Sequence, residues 1–215
     1  MYLVRVWDTP TRLFHWLLVG LVVFSFVTAK IGITAMRYHE WSGFTILVLV
    51  VFRLFWGFFG GRQSRFTEFL RGPAVVFRYV SSSFAKDSGR HLGHNPLGGW
   101  SIIAMLASLV TQAGTGMFAN DDILTEGPLY GLVSKGTSDW LTGIHHLNAK
   151  VLLALIVVHI GAVVFYLAVK HENLIKPMIF GTKLWEENIE SPSGHPALAF
   201  CIAAAVAATL YITIY

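Results

Sequence analysis

Five long apolar segments make up most of this chain, set apart by shorter polar stretches. They cover about residues 13–33, 38–60, 97–118, 143–169 and 197–215. Each has, or nearly has, the length at which a helix crosses a bilayer. Asn95–Pro96 reads as the start of the third, an N-cap followed by proline at the first helical position. Gly114 and Gly116 weaken its far end. The fifth segment is apolar, small and β-branched with no ionisable group, and it predicts a helix that faces lipid or packs on a partner. No repeat or low-complexity tract is evident. The pattern predicts an all-α integral membrane protein. A four-helix transmembrane bundle occupies residues 1–183, and residues 184–215 form a linker and a C-terminal transmembrane helix.

Composition supports a bilayer setting. The chain has 215 residues, 54% hydrophobic and 13% charged, with a mean hydropathy of +0.59. That is too apolar for an ordinary soluble domain. Its aromatic share of 14%, with seven Trp, suits interfacial belts. The formal charge of +4 is modest and the basic residues gather near segment ends, so topology explains them and nucleic acid is not expected as a partner. The single cysteine, Cys201, excludes an internal disulfide, a zinc knuckle and a Cys-ligated iron–sulfur cluster. No C-x-x-C-H motif exists for covalent haem. The first apolar run is long for a signal peptide and lacks a small-x-small cleavage site, so it reads as a retained anchor.

Charge sets an orientation. Arg5 and Arg12 precede the first segment. Arg62, Arg65, Arg71, Arg78, Lys86 and Arg90 follow the second, and Lys170, Lys176 and Lys183 follow the fourth. The other side has Lys30, Arg37 and Lys135, beside Asp121, Asp122, Glu126 and Asp139. Eleven basic residues against three place the N-terminus in the cytoplasm and the 117–142 loop outside.

Candidate chemistry lies in four of the nine histidines: His15, His39, His145 and His159. Ionisable groups in a bilayer are costly and mark function by default. His145 and His159 are 14 residues apart, close to four helical turns, so they share one helix face about 21 Å apart along the axis. Depth pairs His15 with His159 near the cytoplasm and His39 with His145 near the outside. Each pair can ligate one haem iron through two imidazoles. The expected bundle therefore encloses two b haems. His146 competes with His145, but its spacing of 13 from His159 turns it to roughly the opposite face. His91 and His94 read as solvated or capping residues, and His171 and His195 as surface ones.

Two arginines extend the site. Arg53 lies 14 residues after His39, on the same face at the depth of the other pair. A guanidinium there wants an anion, and a haem propionate would pair with it bidentately. Arg12 is about one turn from His15. His159 is only 11 residues before Lys170, so either the fourth helix protrudes or Arg12 lies below the surface. Snorkelling to lipid phosphate is the alternative for both arginines. Lys150 is a candidate for the outer propionates or a quinone carbonyl.

These residues carry a family resemblance. V-W-D-T-P-T-R-L-F-H-W (6–16), H-E-W-S-G-F through F-R-L-F-W-G-F-F-G (39–60) and R-F-T-E-F-L-R-G-P (65–73) belong to it. So do G-H-N-P-L-G-G (93–99), D-D-I-L-T-E-G-P-L (121–129), the 145–159 histidine pair and E-N-L-I-K-P-M-I-F-G-T-K (172–183). The chain resembles the bacterial dihaem cytochrome b family, of the five-sixty-one type, that includes the b subunit of nickel–iron hydrogenases. The resemblance implies quinone-linked electron transfer in the inner membrane, two haem b groups on His15, His39, His145 and His159, and a periplasmic redox partner, a cytochrome c or another redox subunit. The fifth helix lies outside its common core. One rival is an enzyme that oxidises superoxide and reduces quinone, although the acidic outer loop would not steer an anion inward. That loop could instead dock a basic electron carrier. The other rival is a non-redox, histidine-lined transporter. It usually needs acidic partners, and Glu40, at an edge, is the sole acid of the first four segments.

Overall fold

The computed structural model describes residues 1–82, 91–189 and 192–215; Lys86 and Arg90 lie outside them. The long helices are α1 (Thr9–Ile31), α2 (Met36–Phe59), α5 (Pro96–Gly116), α6 (Lys135–Ala168) and α8 (Pro196–Ile214). All five, α2 with the short turn before it, are long and apolar enough to cross a membrane. Between them lie the short α3 (Phe66–Phe69), α4 (Pro73–Ser82) and α7 (Ile175–Phe180). The protein is an all-α integral membrane fold.

Helix starts follow local chemistry. Asn95 Oδ1 accepts from Gly98 N at 2.7 Å, with Pro96 in the first turn. Helix α6 begins well before residue 143. Ser134 caps it, accepting from Thr137 N at 3.2 Å. Its polar first turns carry no apolar signal, so hydropathy alone misses them. A two-stranded ribbon is also unforeseen. Strand β1 (Tyr2–Arg5) pairs antiparallel with β2 (Thr182–Trp185), Tyr2 opposite Trp185. It ties the N-terminus to the segment after α6, and Gly181 O accepts from Val6 N and Trp7 N. Both lie at one end of the bundle, the N-terminal end.

The main packed pairs are α1 with α2, α2 with α5, α5 with α6 and α2 with α8. Phe14, Val50, Phe52, Trp56, Leu106 and Leu109 form the buried core. No comparable packing joins α6 to α1 or α2. Val157, Val158, Ile160 and Val164 of α6 stay exposed, as residues facing lipid do.

Asp8 knots the N-terminal end. It caps α1, with Oδ1 accepting from Thr11 N at 2.9 Å and from Trp56 Nε1 at 3.3 Å. Its Oδ2 accepts from Gly61 N at 2.8 Å and from Ser64 Oγ at 3.5 Å. Helix α8 is anchored beside it. A Cβ on Gly194 would stand 2.3 Å from Trp56 Cζ2, so only glycine lets that segment approach. Asp8→Ala removes a cap and leaves buried donors unpaired, at a combined cost of roughly 3 kcal/mol. A thermal midpoint in detergent equal to wild type would show that the knot carries no such weight.

Two facing histidine pairs as the candidate functional site

The gaps beside α6 hold the histidines. His15 on α1 faces His159, with ring centres 6.5 Å apart and planes at 54°. His39 on α2 faces His145, with centres 6.1 Å apart and planes at 86°. Since α6 is one unbroken helix, the two sites stand about 21 Å apart along its axis.

Hydrogen bonds fix two of the rings. His39 Nδ1 donates to the Ser25 carbonyl at 3.0 Å, and His145 Nδ1 donates to the Gln112 carbonyl at 2.9 Å. A carbonyl only accepts, so the proton sits on Nδ1 and the lone pair on Nε2. That is how a protein orients an imidazole ligand. His15 Nδ1 is buried with no partner.

A polar network backs His145. Asn148 Nδ2 donates to Gln112 Oε1 at 2.8 Å and to the Ser108 carbonyl at 2.9 Å, while Ser108 Oγ donates to Asn148 Oδ1 at 3.0 Å. This turns the Gln112 amide nitrogen toward the His145 ring, 3.0 Å from Nε2. Sequence reasoning passed over these three residues. Their signal was present as polar side chains inside apolar helices. Around the pair lies a cavity of about 280 Å³, lined by Ser25, His39, Gly43, Gln112, Gly116 and His145 among others.

The donor set decides what these pairs can hold. Among the described residues no group of three or more His, Cys, Asp or Glu side chains could bind a metal ion. Each pair offers two nitrogens only. Two imidazoles on one metal, each at about 2.0 Å, put ring centres about 6 Å apart. A macrocycle with four nitrogens of its own completes such a site, and haem fits these residues.

The other candidates fall as follows. Arg53 is 3% exposed. Its Nη2 donates to the Ser64 carbonyl at 3.0 Å, its guanidinium lies over the Phe66 ring, and Nη1 is buried without a partner. Arg12 is covered by the segment after α6. Its Nη1 donates to the Ile179 carbonyl at 2.5 Å and Nη2 to Thr9 Oγ1 at 3.1 Å, with Nε buried and unpartnered. That covering layer reconciles Arg12 with the short distance from His159 to Lys170. Lys150 is exposed and does not line the cavity around His39 and His145, whereas His146 reaches its rim.

One sequence expectation needs correction. His94 is not solvated. Its ring packs 4.6 Å from Trp7 and 4.8 Å from Phe69. Burial, then the positive charge of Arg53 and of His159 and His15, pushes its pKa down to about 3. The capping role belongs to Asn95. The acidic loop is partly self-satisfied. Asp121 Oδ1 accepts backbone N–H groups of Ile123, Leu124 and Thr125, which hold its carboxyl well below the usual range. Lys135 pairs with both Asp122 and Asp139.

Residues 6–181 match the family described as prokaryotic cytochrome b561. The chain belongs to that family. Members are membrane cytochromes with b haems that transfer electrons across the bilayer, so this cytochrome is a multi-pass bacterial membrane protein. Strand β2 and helix α8 lie beyond the matched residues. Neither the curated proteins nor the solved structures gave a match.

Proposed function

We propose that the cytochrome carries electrons between the quinone pool and a redox partner on the outer face, through two bis-histidine b haems. The carrying observation is the pair of facing ring couples, 6.5 and 6.1 Å between centres, both closed by α6. When bound, haem supplies the one-electron redox chemistry, and the protein supplies ligation, burial and electrostatics. His15 and His159 would hold one group, His39 and His145 the other. The Ser25 and Gln112 carbonyls keep the proton of His39 and His145 on Nδ1, which leaves Nε2 as the nitrogen that can ligate. Arg53 would place fixed positive charge beside a propionate at the N-terminal site, and Arg12 would support it from the helix end.

The basic residues around β1, α3 and α4 favour a cytoplasmic N-terminal end. The 117–142 loop then meets the outer partner, a cytochrome c or a bound redox subunit. Glu126 and the net acidity of the loop favour a basic face on that partner, mainly through association rate.

Pyridine haemochrome analysis of the purified protein tests the reading. The expected result is two non-covalent b haems per chain. One haem per chain, or none, rejects it.

A further inference from the structure

Among the buried polar atoms of the described residues that lack a partner, two can serve as donors to one group beside the His15–His159 pair. Arg53 Nη1 is one and His94 Nδ1 is the other. They come from different parts of the chain, α2 and the residue before the α5 cap. Yet they share one neighbourhood: the Arg53 guanidinium lies over Phe66, Phe66 packs on Phe69 and Phe69 on His94, while Ser64, which accepts from Arg53, bonds Thr11 one turn before His15. Leaving such groups unpaired costs about 1–3 kcal/mol each, more for a charge. Most buried polar groups do find partners, so two orphans together point to a missing acceptor.

Among the described residues no side chain offers it. Asp8 is the carboxylate whose charge reaches Arg53. It turns its oxygens to Thr11, Trp56, Gly61 and Ser64. The Ser64 carbonyl takes only Nη2 of Arg53. Meanwhile His94 is held rigidly. Trp7 and Phe69 flank its ring, and Asn95 fixes the backbone that follows by capping α5. A neutral imidazole so placed donates from Nδ1 without adding charge. A guanidinium beside it supplies the charge. Together they suit one carboxylate.

We propose that His94 Nδ1 and Arg53 Nη1 form a two-point clamp for a propionate of the haem held between His15 and His159. The proposal rests on the bis-histidine reading and adds His94 as a binding residue that holds the group by its rim, not by its metal. It also accounts for a histidine packed between two aromatic rings where a third aromatic would pack as well.

The experiment compares wild type, His94→Phe and His94→Asn, each as the full chain. His94→Phe keeps a ring between Trp7 and Phe69 and removes the donor. His94→Asn keeps an N–H close to the Nδ1 position. Haem-free protein is loaded with haem or with haem dimethyl ester, whose propionates are no longer anions. Retention is then measured against an external haem scavenger, and the midpoint potential of the N-terminal haem is titrated. His94→Phe should lose that haem about tenfold more readily, and its potential should move. With the dimethyl ester the two proteins should match. His94→Asn should restore most of the retention with native haem. Equal weakening toward haem and ester would make His94 a packing residue and overturn the clamp, as would no weakening at all. A wild-type chain with no haem at this end overturns the clamp and the bis-histidine reading together. A selective failure with both haems bound overturns the clamp alone.

Discussion

On the proposed ligation, His145→Ala should remove the haem at the loop end of the bundle and leave the other in place; His159→Ala should do the reverse. Each replacement would take away one of the two imidazoles that would hold the group and open the site to water. The facing partners should behave alike, His39→Ala like His145→Ala and His15→Ala like His159→Ala. Potentiometric titration reads the result directly, since a wild-type curve of two steps should become a single step. Even a change to the groups that orient a metal ligand typically costs 10–100-fold in affinity or activity. Loss of the ligand itself should therefore empty the site. His146→Ala is the control. Its ring lies 6.2 Å from that of His145 but on the exposed side of α6, at the cavity rim. Both steps should survive in that variant. If the His146 variant loses a haem while the His145 variant keeps both, the ligand is the neighbouring residue.

A larger effect follows from how α6 is held. It packs on α5, while its contact with α1 and α2 runs through the histidine gaps. Haem bound as proposed would fill those gaps and bridge the helices. A group that binds only the folded state stabilises it in proportion to the logarithm of its concentration over Kd. Two tightly held groups acting on one helix should therefore dominate the stability of this bundle. Haem-free protein should unfold at a midpoint at least roughly 10 °C lower than the loaded form. The single-site variants should fall between. Circular dichroism at fixed detergent concentration makes the measurement. Matching midpoints with and without haem would mean that α5 alone keeps α6 in place.

The sequence shows some of this plainly and hides the rest for physical reasons. The spacing of 14 between His145 and His159 is a property of any straight helix, so their common face could be read in advance. So could the N-cap at Asn95. The groups that fix the His39 and His145 tautomers are backbone carbonyls of Ser25 and Gln112, and every residue has one. No side-chain identity announces them. His94 misleads because its neighbours in sequence are polar, while Trp7 and Phe69, which cover it, are remote in the chain. The β1–β2 ribbon is hidden for the same reason, since each strand is four residues long and its partner lies on the far side of the four-helix region in the chain. Arg53 shows a third case. Its depth could be read from position, but the acceptor proposed for its free nitrogen is a group outside the amino-acid sequence.

The placement of both closing histidines on α6 also sets an order of assembly. Synthesis delivers α1 and α2 to the membrane first, with one imidazole for each site. Helix α6 emerges only after the long connection and α5 have been made. Until then neither gap has its second nitrogen, and a nascent chain can hold haem at best by one bond. Both redox centres would then mature in a single late event, when one helix swings in beside α5. On that assignment a chain stopped before α6 would hold no finished redox centre at either end of the bundle.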